Sequence, residues 1–251
     1  MASVREHYEE LLAHHYSRMF GEFEAKVAEQ RALLERLGVG SSRASGLAVD
    51  LGCGSGFQSI ALANLGFRVL AIDFSERLLG ELKTRASGLP VETIAADIRD
   101  AGALVPSGVA LAVCMGDTLS HLEREDDLAR VFDGVAARLA DGGRLILTFR
   151  DLSGELRELD RFLPLYAAAD LIMTCFLEYE PATVKVHDLV WERQADGWRF
   201  RKSVYRKLRL APATVISRLE RAGFTVGRHE APSGMLALVG ISTRPGRSVK
   251  S

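Results

Sequence analysis

The sequence predicts an α/β protein built on a doubly wound sheet, and two patterns carry this prediction. Short apolar runs mark the expected strands: LAVDL, FRVLAID, VETIAA, VALAVCM and RLILTF. Helical stretches lie between them, around residues 57–65, 76–86 and 126–140. Strands joined through single helices form right-handed crossovers, so we expect a parallel sheet that is buried on both faces.

The composition is that of a globular protein and argues against some partners. The 251 residues are 47% hydrophobic and 26% charged, which suffices for one large domain or two small ones without disulfides or metal. A formal net charge of -1 gives no general attraction to nucleic acid or anionic lipid. Cys53, Cys114 and Cys175 lie far apart with no CxxC pair, which favours a reducing compartment, the cytoplasm.

Residues 1–40 are predicted to form an N-terminal helical unit. Apolar residues recur there at helical spacing, with a break near Gly21 and a stop at Gly38. The segment GVGSSRASG is then expected to connect flexibly to a second unit, residues 41–251. The chain shows no signal-peptide core and no apolar run near the roughly 20 residues that span a bilayer, so neither export nor membrane insertion is expected.

The pattern changes after Arg150. A polar helical turn, GELRELDRF, precedes three β-rich runs, LIMTCFLEYE, TVKVHDLVWERQ and WRFRKSVYRKLRL, which predict a three-stranded antiparallel insertion at about residues 168–210. A helix over residues 212–222 follows, FTVGRHE and MLALVGIS close the chain as two strands, and RPGRSVKS is expected to fray. The insertion forms either a wall of the pocket or an oligomer contact, and both readings stay open.

The strongest chemical signal is the run VDLGCGSG, residues 49–56, at the end of the first strand. Its glycines allow a tight turn and a close approach of the backbone to a ligand. Dinucleotide loops would place the third glycine at position 57, which is Phe57, and no Lys-Ser or Lys-Thr follows as in a P-loop. A strand-to-helix turn without a ligand is the alternative.

This run resembles the first motif of class I S-adenosylmethionine-dependent methyltransferases, acidic-x-Gly-x-Gly-x-Gly. The resemblance implies a Rossmann-like seven-stranded sheet with an antiparallel last strand, S-adenosylmethionine as cofactor and S-adenosylhomocysteine as product. It assigns cofactor binding to Asp50, Gly52, Cys53, Gly54, Gly56, Asp73, Phe74, Asp97, Ile98, Met115 and Gly116. In this assignment Asp73 accepts the ribose hydroxyls and Asp97 the adenine amino group, although either aspartate could instead cap a helix or a turn.

The stretch from Cys114 to Leu122 is similar to glycine N-methyltransferases and their relatives, which read Gly-Asn-Ser-Phe-Ala-His-Leu there. Gly116 and His121 match that pattern, and Asp117 replaces the asparagine. Asp117 and His121 are therefore the predicted catalytic residues, with Asp117 as anchor or base for an amine. The alternatives are an N-cap for Asp117 and an ordinary capping or partly buried histidine for His121.

The same resemblance implies three substrate-binding residues. Arg150 follows the fifth strand where the related enzymes grip a substrate carboxylate, although an ion pair with Asp151 is an alternative. Tyr8 and Tyr16 would cover the methyl group or meet the substrate, because related enzymes fold such an N-terminal segment over the cofactor as a lid. Packing on a helix face is the other reading of both tyrosines.

The predicted function is that of an enzyme: in-line methyl transfer from S-adenosylmethionine to a small molecule, an amine or amino-acid-like nitrogen. O- or S-methylation of a small metabolite and cofactor binding without transfer are alternatives. An RNA methyltransferase is the weakest alternative, since the basic residues 199–209 suit a solvated strand face and no NPPY, DPPY or ProCys motif is present. The identity of the acceptor and a homo-oligomeric state stay open.

Overall fold

A computed structural model describes residues 3–40 and 46–243. The central residues of the connection predicted to be flexible, 41–45, and the tail predicted to fray, 244–251, lie outside this part of the chain. Within it, no helix is long and apolar enough to cross a membrane.

The helices follow the apolar periodicity of the sequence. They are α1 Val4–Glu10, α2 Phe23–Arg36, α3 Phe57–Asn64, α4 Glu76–Arg85, α5 Ala101–Leu104, α6 Asp126–Ala136 and α7 Pro212–Arg221. Short 3₁₀ turns cover Leu12–His14, Tyr16–Phe20, Ile98–Asp100, Thr118–His121, Glu158–Arg161 and Pro232–Gly234. Ser3 caps α1 in a reciprocal arrangement with Glu6, and Ser75 caps α4 by accepting the N–H of Leu78, which explains where both helices begin.

The strands form two sheets. They are β1 Leu47–Leu51, β2 Arg68–Asp73, β3 Val91–Ala95, β4 Val109–Cys114, β5 Leu139–Phe149, β6 Phe162–Ala167, β7 Leu171–Tyr179, β8 Thr183–Gln194, β9 Gly197–Leu208, β10 Phe224–Glu230 and β11 Leu236–Ser242. The seven-stranded sheet has the order β10-β11-β5-β4-β1-β2-β3. Strands β1 to β5 pair in parallel, and β11 runs antiparallel to both β5 and β10. The predicted seven-stranded fold with an antiparallel last strand is confirmed.

Apolar residues bury both faces of this sheet, as its central strands require. One face is covered by a cluster that includes α6, α7 and the side chains of Phe132 and Phe149, both fully buried. The other face is covered by a cluster that includes α2, α3 and α4. The carboxyl ends of β1 to β4 therefore open onto one edge of the sheet, where α/β proteins bind ligands.

The contacts divide the predicted N-terminal unit at Gly21, where the sequence also predicts a break. Helix α2 packs into the main core through Val27, Leu33 and Leu34. It ends at Arg36, and the φ of 81° at Gly38 permits the N–H of Val39 to reach the carbonyl of Leu34 at 2.9 Å. Residues 3–20 instead lie between the main sheet and the second sheet, so the lid prediction applies to them alone.

The second sheet has four antiparallel strands, in the order β6-β7-β8-β9. The three strands predicted over residues 168–210 correspond to β7, β8 and β9, whereas the fourth strand, β6, precedes that range and is not predicted. Pro164 interrupts the run FLPLYA, which argues against a central strand. In the structure β6 is an edge strand with a register irregularity beside Pro164, a place where a missing N–H is tolerated.

Candidate active site

A cavity of about 700 Å³ lies at the carboxyl ends of β1 to β4, between residues 3–16 and strand β9. Its lining includes nine of the predicted site residues. They are Tyr8, Tyr16, Gly52, Gly54, Asp73, Phe74, Asp97, Ile98 and His121. The segments that follow β1, β2, β3 and β4 thus all line the same cavity, as expected for a parallel sheet.

The glycine loop has left-handed backbone at its three glycines, with φ of 74° at Gly52, 52° at Gly54 and 98° at Gly56. A Cβ on Gly52 would collide with the Thr118 side chain, and one on Gly56 with Leu82. Gly56 therefore serves the packing of the loop against α4. Only Gly52 and Gly54 of the three line the cavity, so they are the glycines that can meet a ligand.

Two predicted cofactor residues lie beneath this loop. Asp50 is buried and accepts a hydrogen bond from the Ser59 hydroxyl at 2.6 Å. Burial raises the pKa of Asp50 to about 7, with a smaller contribution from the charge of Asp73. Cys53 is also buried, and burial raises the pKa of its thiol well above the usual range. Neither side chain lines the cavity, so both belong to the buried packing that supports the loop.

Asp73 ends β2 and holds the loop in place. One of its carboxylate oxygens accepts the N–H of Gly54 and the other accepts the N–H of Ser75, both at 2.8 Å. Burial raises the pKa of Asp73, while these backbone hydrogen bonds act to lower it. A carboxylate has about four lone-pair positions, and a third backbone hydrogen bond comes from Phe74, so capacity for one ribose hydroxyl remains.

Asp97 caps a turn and also lines the cavity. It caps the turn Ile98–Asp100 by accepting the N–H of Arg99 at 2.8 Å, and it also accepts the Arg99 guanidinium at 2.8 Å. Burial acts to raise the pKa of Asp97, but the hydrogen bonds from Arg99 outweigh it and the pKa is lowered. Both Asp97 and Ile98 line the cavity, so the capping role does not remove them from the site.

Asp117 is held in an ion cluster outside the cavity lining. Its Oδ2 accepts the Arg150 guanidinium at 2.5 Å and the Lys207 ammonium at 3.0 Å. Burial acts to raise the pKa of Asp117, but Lys207 and Arg150 together hold it well below the usual range. This arrangement argues against the prediction that Asp117 acts as a base. Its negative charge already has two cationic partners.

Arg150 also departs from its predicted place. Its side chain is 46% exposed and lies outside the cavity lining. It pairs with Asp117, whereas the alternative reading named Asp151. A grip on the carboxylate of a substrate inside the cavity is therefore not supported by this geometry.

His121 lies in the 3₁₀ turn Thr118–His121 that follows β4. The ring meets Tyr8 edge-on at 5.5 Å and Tyr205 at 5.7 Å between centroids. Its Nε2 is buried and has no hydrogen-bond partner among the residues that the structure describes. Burial, reinforced by Lys207, lowers the pKa of His121 to about 3, so the imidazole is neutral at neutral pH.

The two predicted tyrosines both line the cavity. Tyr8 packs edge-on against Phe74 at 5.7 Å, and the ring of Tyr16 lies over Gly54. Burial raises the pKa of both phenols, which therefore stay protonated. Met115 and Gly116 instead line a small neighbouring cavity that also meets Tyr16.

Residues of the second sheet that the sequence analysis did not select complete the cavity. They are Thr183, Arg206, Lys207 and Leu208. The sequence predicts a solvated strand face for the basic residues of this region. Alternation along the strand, however, places Lys207 on the same face as Tyr205, which is buried, and this alternation is the sequence signal that could have identified Lys207. The insertion is thus a wall of the pocket, one of its two predicted roles.

The cavity residues fit the adenosyl and methionine parts of S-adenosylmethionine. Gly54 presents its backbone where a Cβ would meet the Tyr16 ring, and Asp73 offers carboxylate oxygens beside it. Asp97 and Ile98 stand after the next strand, as the resemblance implies for adenine. Among the described residues no cluster suited to a metal ion occurs.

Residues 48–143 match the family model described as methyltransferase domain. The sheet order and the antiparallel last strand are those predicted for a class I S-adenosylmethionine-dependent methyltransferase, and this match agrees with that class. The predicted class and its cofactor are thereby confirmed.

Individual proteins agree with this class. The chain is 31% identical over 103 residues to a cypemycin N-terminal methyltransferase from Streptomyces sp., covering 41% of each chain. It is 31% identical over 102 residues to a ubiquinone biosynthesis O-methyltransferase from Xanthomonas euvesicatoria, covering 40% of this chain and 41% of the relative. The matches therefore span about two fifths of these curated relatives.

A solved structure extends the likeness of fold to most of the chain. The S-adenosylmethionine-bound amino pentose methyltransferase CalS10 from Micromonospora echinaspora superposes with a TM-score of 0.71. The superposition covers 92% of this chain and 97% of that one at 16% sequence identity. The likeness of fold thus extends well beyond residues 48–143.

Proposed function

We propose that this protein transfers the methyl group of S-adenosylmethionine to the nitrogen of a small amine. The observation that carries the proposal is a single cavity of about 700 Å³. It brings the glycine loop, Asp73 and Asp97 together with a neutral imidazole, His121.

Each part of the cofactor has candidate partners in the chain. Gly52 and Gly54 would lie along the methionine part, Asp73 would accept hydrogen bonds from the ribose, and Asp97 with Ile98 would hold the adenine. Bound in this way, S-adenosylmethionine supplies an electrophilic methyl group on its sulfonium. Because transfer is a direct displacement, the protein mainly has to orient the acceptor and exclude water.

The remaining cavity residues suit those two tasks. Tyr8 and Tyr16 cover the site from the N-terminal segment and limit the access of water. An ammonium acceptor must lose a proton before its lone pair can attack. The neutral ring of His121 can accept a hydrogen bond from the acceptor nitrogen and orient that lone pair.

The weak basicity of His121 favours nitrogen over oxygen. With a pKa of about 3, this imidazole is a poor base for the far less acidic proton of an alcohol. Asp117, the other predicted base, is occupied by Lys207 and Arg150. An amine needs less help, because its neutral form is already nucleophilic.

O-methylation of a small metabolite is the second candidate, because one matched relative is named as an O-methyltransferase. The cypemycin N-terminal methyltransferase instead supports nitrogen. The two curated relatives match this chain over about the same length and at the same identity, so they do not separate the two candidates.

The test starts from cofactor binding. Calorimetry on the full chain should detect S-adenosylhomocysteine binding, and its absence would overturn the proposal. Primary amines and the alcohols of matching carbon skeleton are then offered with S-adenosylmethionine, and S-adenosylhomocysteine release is followed by mass spectrometry. We expect release with amines and an N-methylated product. Release with alcohols alone would favour the second candidate, and binding without release from any acceptor would indicate a non-catalytic binder. RNA binding with a steep salt dependence would favour the nucleic acid alternative.

A further inference from the structure

Strand β9 contributes a lysine to the cavity wall that the cofactor assignment does not use. Lys207 lines the cavity, and its side chain is only 14% exposed. The cofactor residues all precede it in the chain by more than 80 positions and come from the main sheet. A lysine kept this far from water normally has a charged partner or a function.

The described partner of Lys207 uses only part of its hydrogen-bonding capacity. The ammonium carries three N–H groups, and the described residues show one acceptor for them, Oδ2 of Asp117 at 3.0 Å. Asp117 itself lies outside the cavity lining, whereas Lys207 is part of it. The remaining N–H groups of Lys207 are therefore available to a molecule in the cavity.

The charges around Lys207 leave a positive surplus. Asp117 is shared between Lys207 and Arg150, so two cations have one carboxylate. Arg206, the neighbouring cation in the lining, is held by Glu180 through hydrogen bonds of 2.6 and 2.7 Å. A second buried carboxylate of this region, Asp188, is engaged by His7 at 2.9 Å. An anion in the cavity would complete the balance at Lys207.

Lys207 and the proposed catalytic residue also share a neighbourhood. Strand β9 packs against the turn Thr118–His121, and the ring of Tyr205 stands 5.7 Å from that of His121. Because residues 205 and 207 point to the same face of β9, an acceptor beside His121 is also within reach of Lys207. A small molecule can therefore present its amine to one residue and an acidic group to the other.

We infer that Lys207 is the specificity residue of the acceptor site and binds an anionic group, carboxylate or phosphate, carried by the amine substrate. This inference rests on the proposed function for the amine, but the anion site itself does not depend on it. It assigns to Lys207 the role that the sequence analysis gave to Arg150.

The test uses propanoate, its neutral analogue propanamide, and inorganic phosphate as probes of the full-length, isotope-labelled protein. Magnetic resonance titrations follow the Lys207 side chain and the amides of residues 204–208. We expect saturable shifts with propanoate at an affinity about tenfold above that of propanamide, as one charge-assisted hydrogen bond provides. The phosphate arm decides which anion binds more tightly.

Variants then locate the anion site. Lys207→Met should abolish the preference for propanoate, and Lys207→Arg, which keeps the charge and guards against misfolding, should retain it. Arg150→Gln and Lys185→Met should also retain it, the latter because Lys185 pairs with Glu178 on the same sheet outside the cavity. Three results would overturn the inference. They are equal affinities for propanoate and propanamide, the absence of saturable shifts with propanoate, and loss of the preference for propanoate in Arg150→Gln. Failure to bind S-adenosylhomocysteine would overturn the proposed function alone.

Discussion

The ring of Tyr16 lies directly on Gly54, so close that a Cβ built on Gly54 would stand 3.0 Å from Tyr16 Cε1 and 3.3 Å from its hydroxyl oxygen. The N-terminal segment thus closes on the glycine loop itself. The loop glycine therefore has two functions, since it allows the left-handed turn and also makes room for the ring of Tyr16.

Substitution of Gly54 should separate cofactor binding from overall folding. Gly54→Ala introduces a side chain at φ 52° and pushes it against Tyr16, so we expect the affinity for S-adenosylhomocysteine to fall at least about tenfold, the effect of roughly 1.4 kcal/mol. Gly80→Ala is the matched control, because Gly80 lies in α4 with open space around it. The control should bind normally, and calorimetry measures both. Equal affinity in the two variants would contradict this account of the loop.

Two charged side-chain pairs join the N-terminal segment to the second sheet, and they differ strongly in how far they are buried. His7 Nε2 meets Asp188 Oδ2 at 2.9 Å, and these side chains are 0% and 4% exposed. Arg18 pairs with Asp170 at 2.7 Å, but both side chains are about half exposed. Buried partners are costly to leave alone, whereas exposed ion pairs contribute little.

His7→Phe should therefore weaken the attachment of the N-terminal segment to the second sheet. The phenyl ring can keep the stacking on Tyr205, now 4.1 Å between centroids, but it leaves the Asp188 carboxylate buried without its partner. We expect a loss of about 3 kcal/mol in urea unfolding and faster hydrogen exchange in α1. Asp170→Asn should change neither. Similar effects of the two substitutions would show that burial does not decide the strength of this attachment.

Much of the main sheet could be predicted from the sequence because its signals are local. The run LAVDL coincides with β1, and the other four predicted parallel strands overlap β2 to β5. Apolar runs and turn residues act within a few positions, so neighbouring sequence suffices to find them. Strand β6 is not predicted because Pro164 is compatible with an edge strand and not with a central one, and the position of a strand in its sheet is not a local property of the sequence.

The cofactor side of the site could be predicted better than the acceptor side, for a related reason. Gly52, Gly54 and Asp73 follow consecutive strands, so their order along the chain reproduces their order in space. Asp117 and Lys207 are 90 positions apart and meet only after the second sheet folds against the main one. That contact changes Asp117 from a predicted base into the partner of two cations.

The loop aspartate Asp50 should give the protein an unusual dependence of stability on pH. Its pKa is 3.8 in a model compound and about 7 in the folded chain, because burial disfavours the charged form. The folded state therefore binds the proton more tightly than the unfolded state, and the contribution of Asp50 to stability falls as pH rises from about 4 to about 7. The shift corresponds to at most about 4 kcal/mol.

Asp50→Asn removes this titration and keeps an acceptor for the Ser59 hydroxyl. We expect the free energy of unfolding of the wild type, minus that of the variant, to decrease through this pH window and to level off above it. Other groups titrate in both proteins and cancel in the difference. Parallel curves for the two proteins would mean that Asp50 is ionised throughout or equally protonated in the unfolded chain.

The protonation of His121 connects the two halves of the proposed site. Burial is the larger cause of its pKa of about 3, and the charge of Lys207 is the next. A nitrogen-15 titration of the histidine side chains should therefore find His121 neutral down to acidic pH. In Lys207→Met, the pKa of His121 should rise but stay below 6.5, since the burial of the ring is unchanged.

The size of this rise measures how strongly the proposed anion site acts on the proposed catalytic residue. Lys185→Met removes a cation from β8 that lies outside the cavity, so it should leave the pKa of His121 unchanged. An anion bound at Lys207 compensates the same charge, so saturating propanoate should raise the pKa of His121 in the wild type and have no such effect in Lys207→Met. Titration of His121 near 6.5 in the wild-type protein would contradict the neutral imidazole on which the preference for an amine depends.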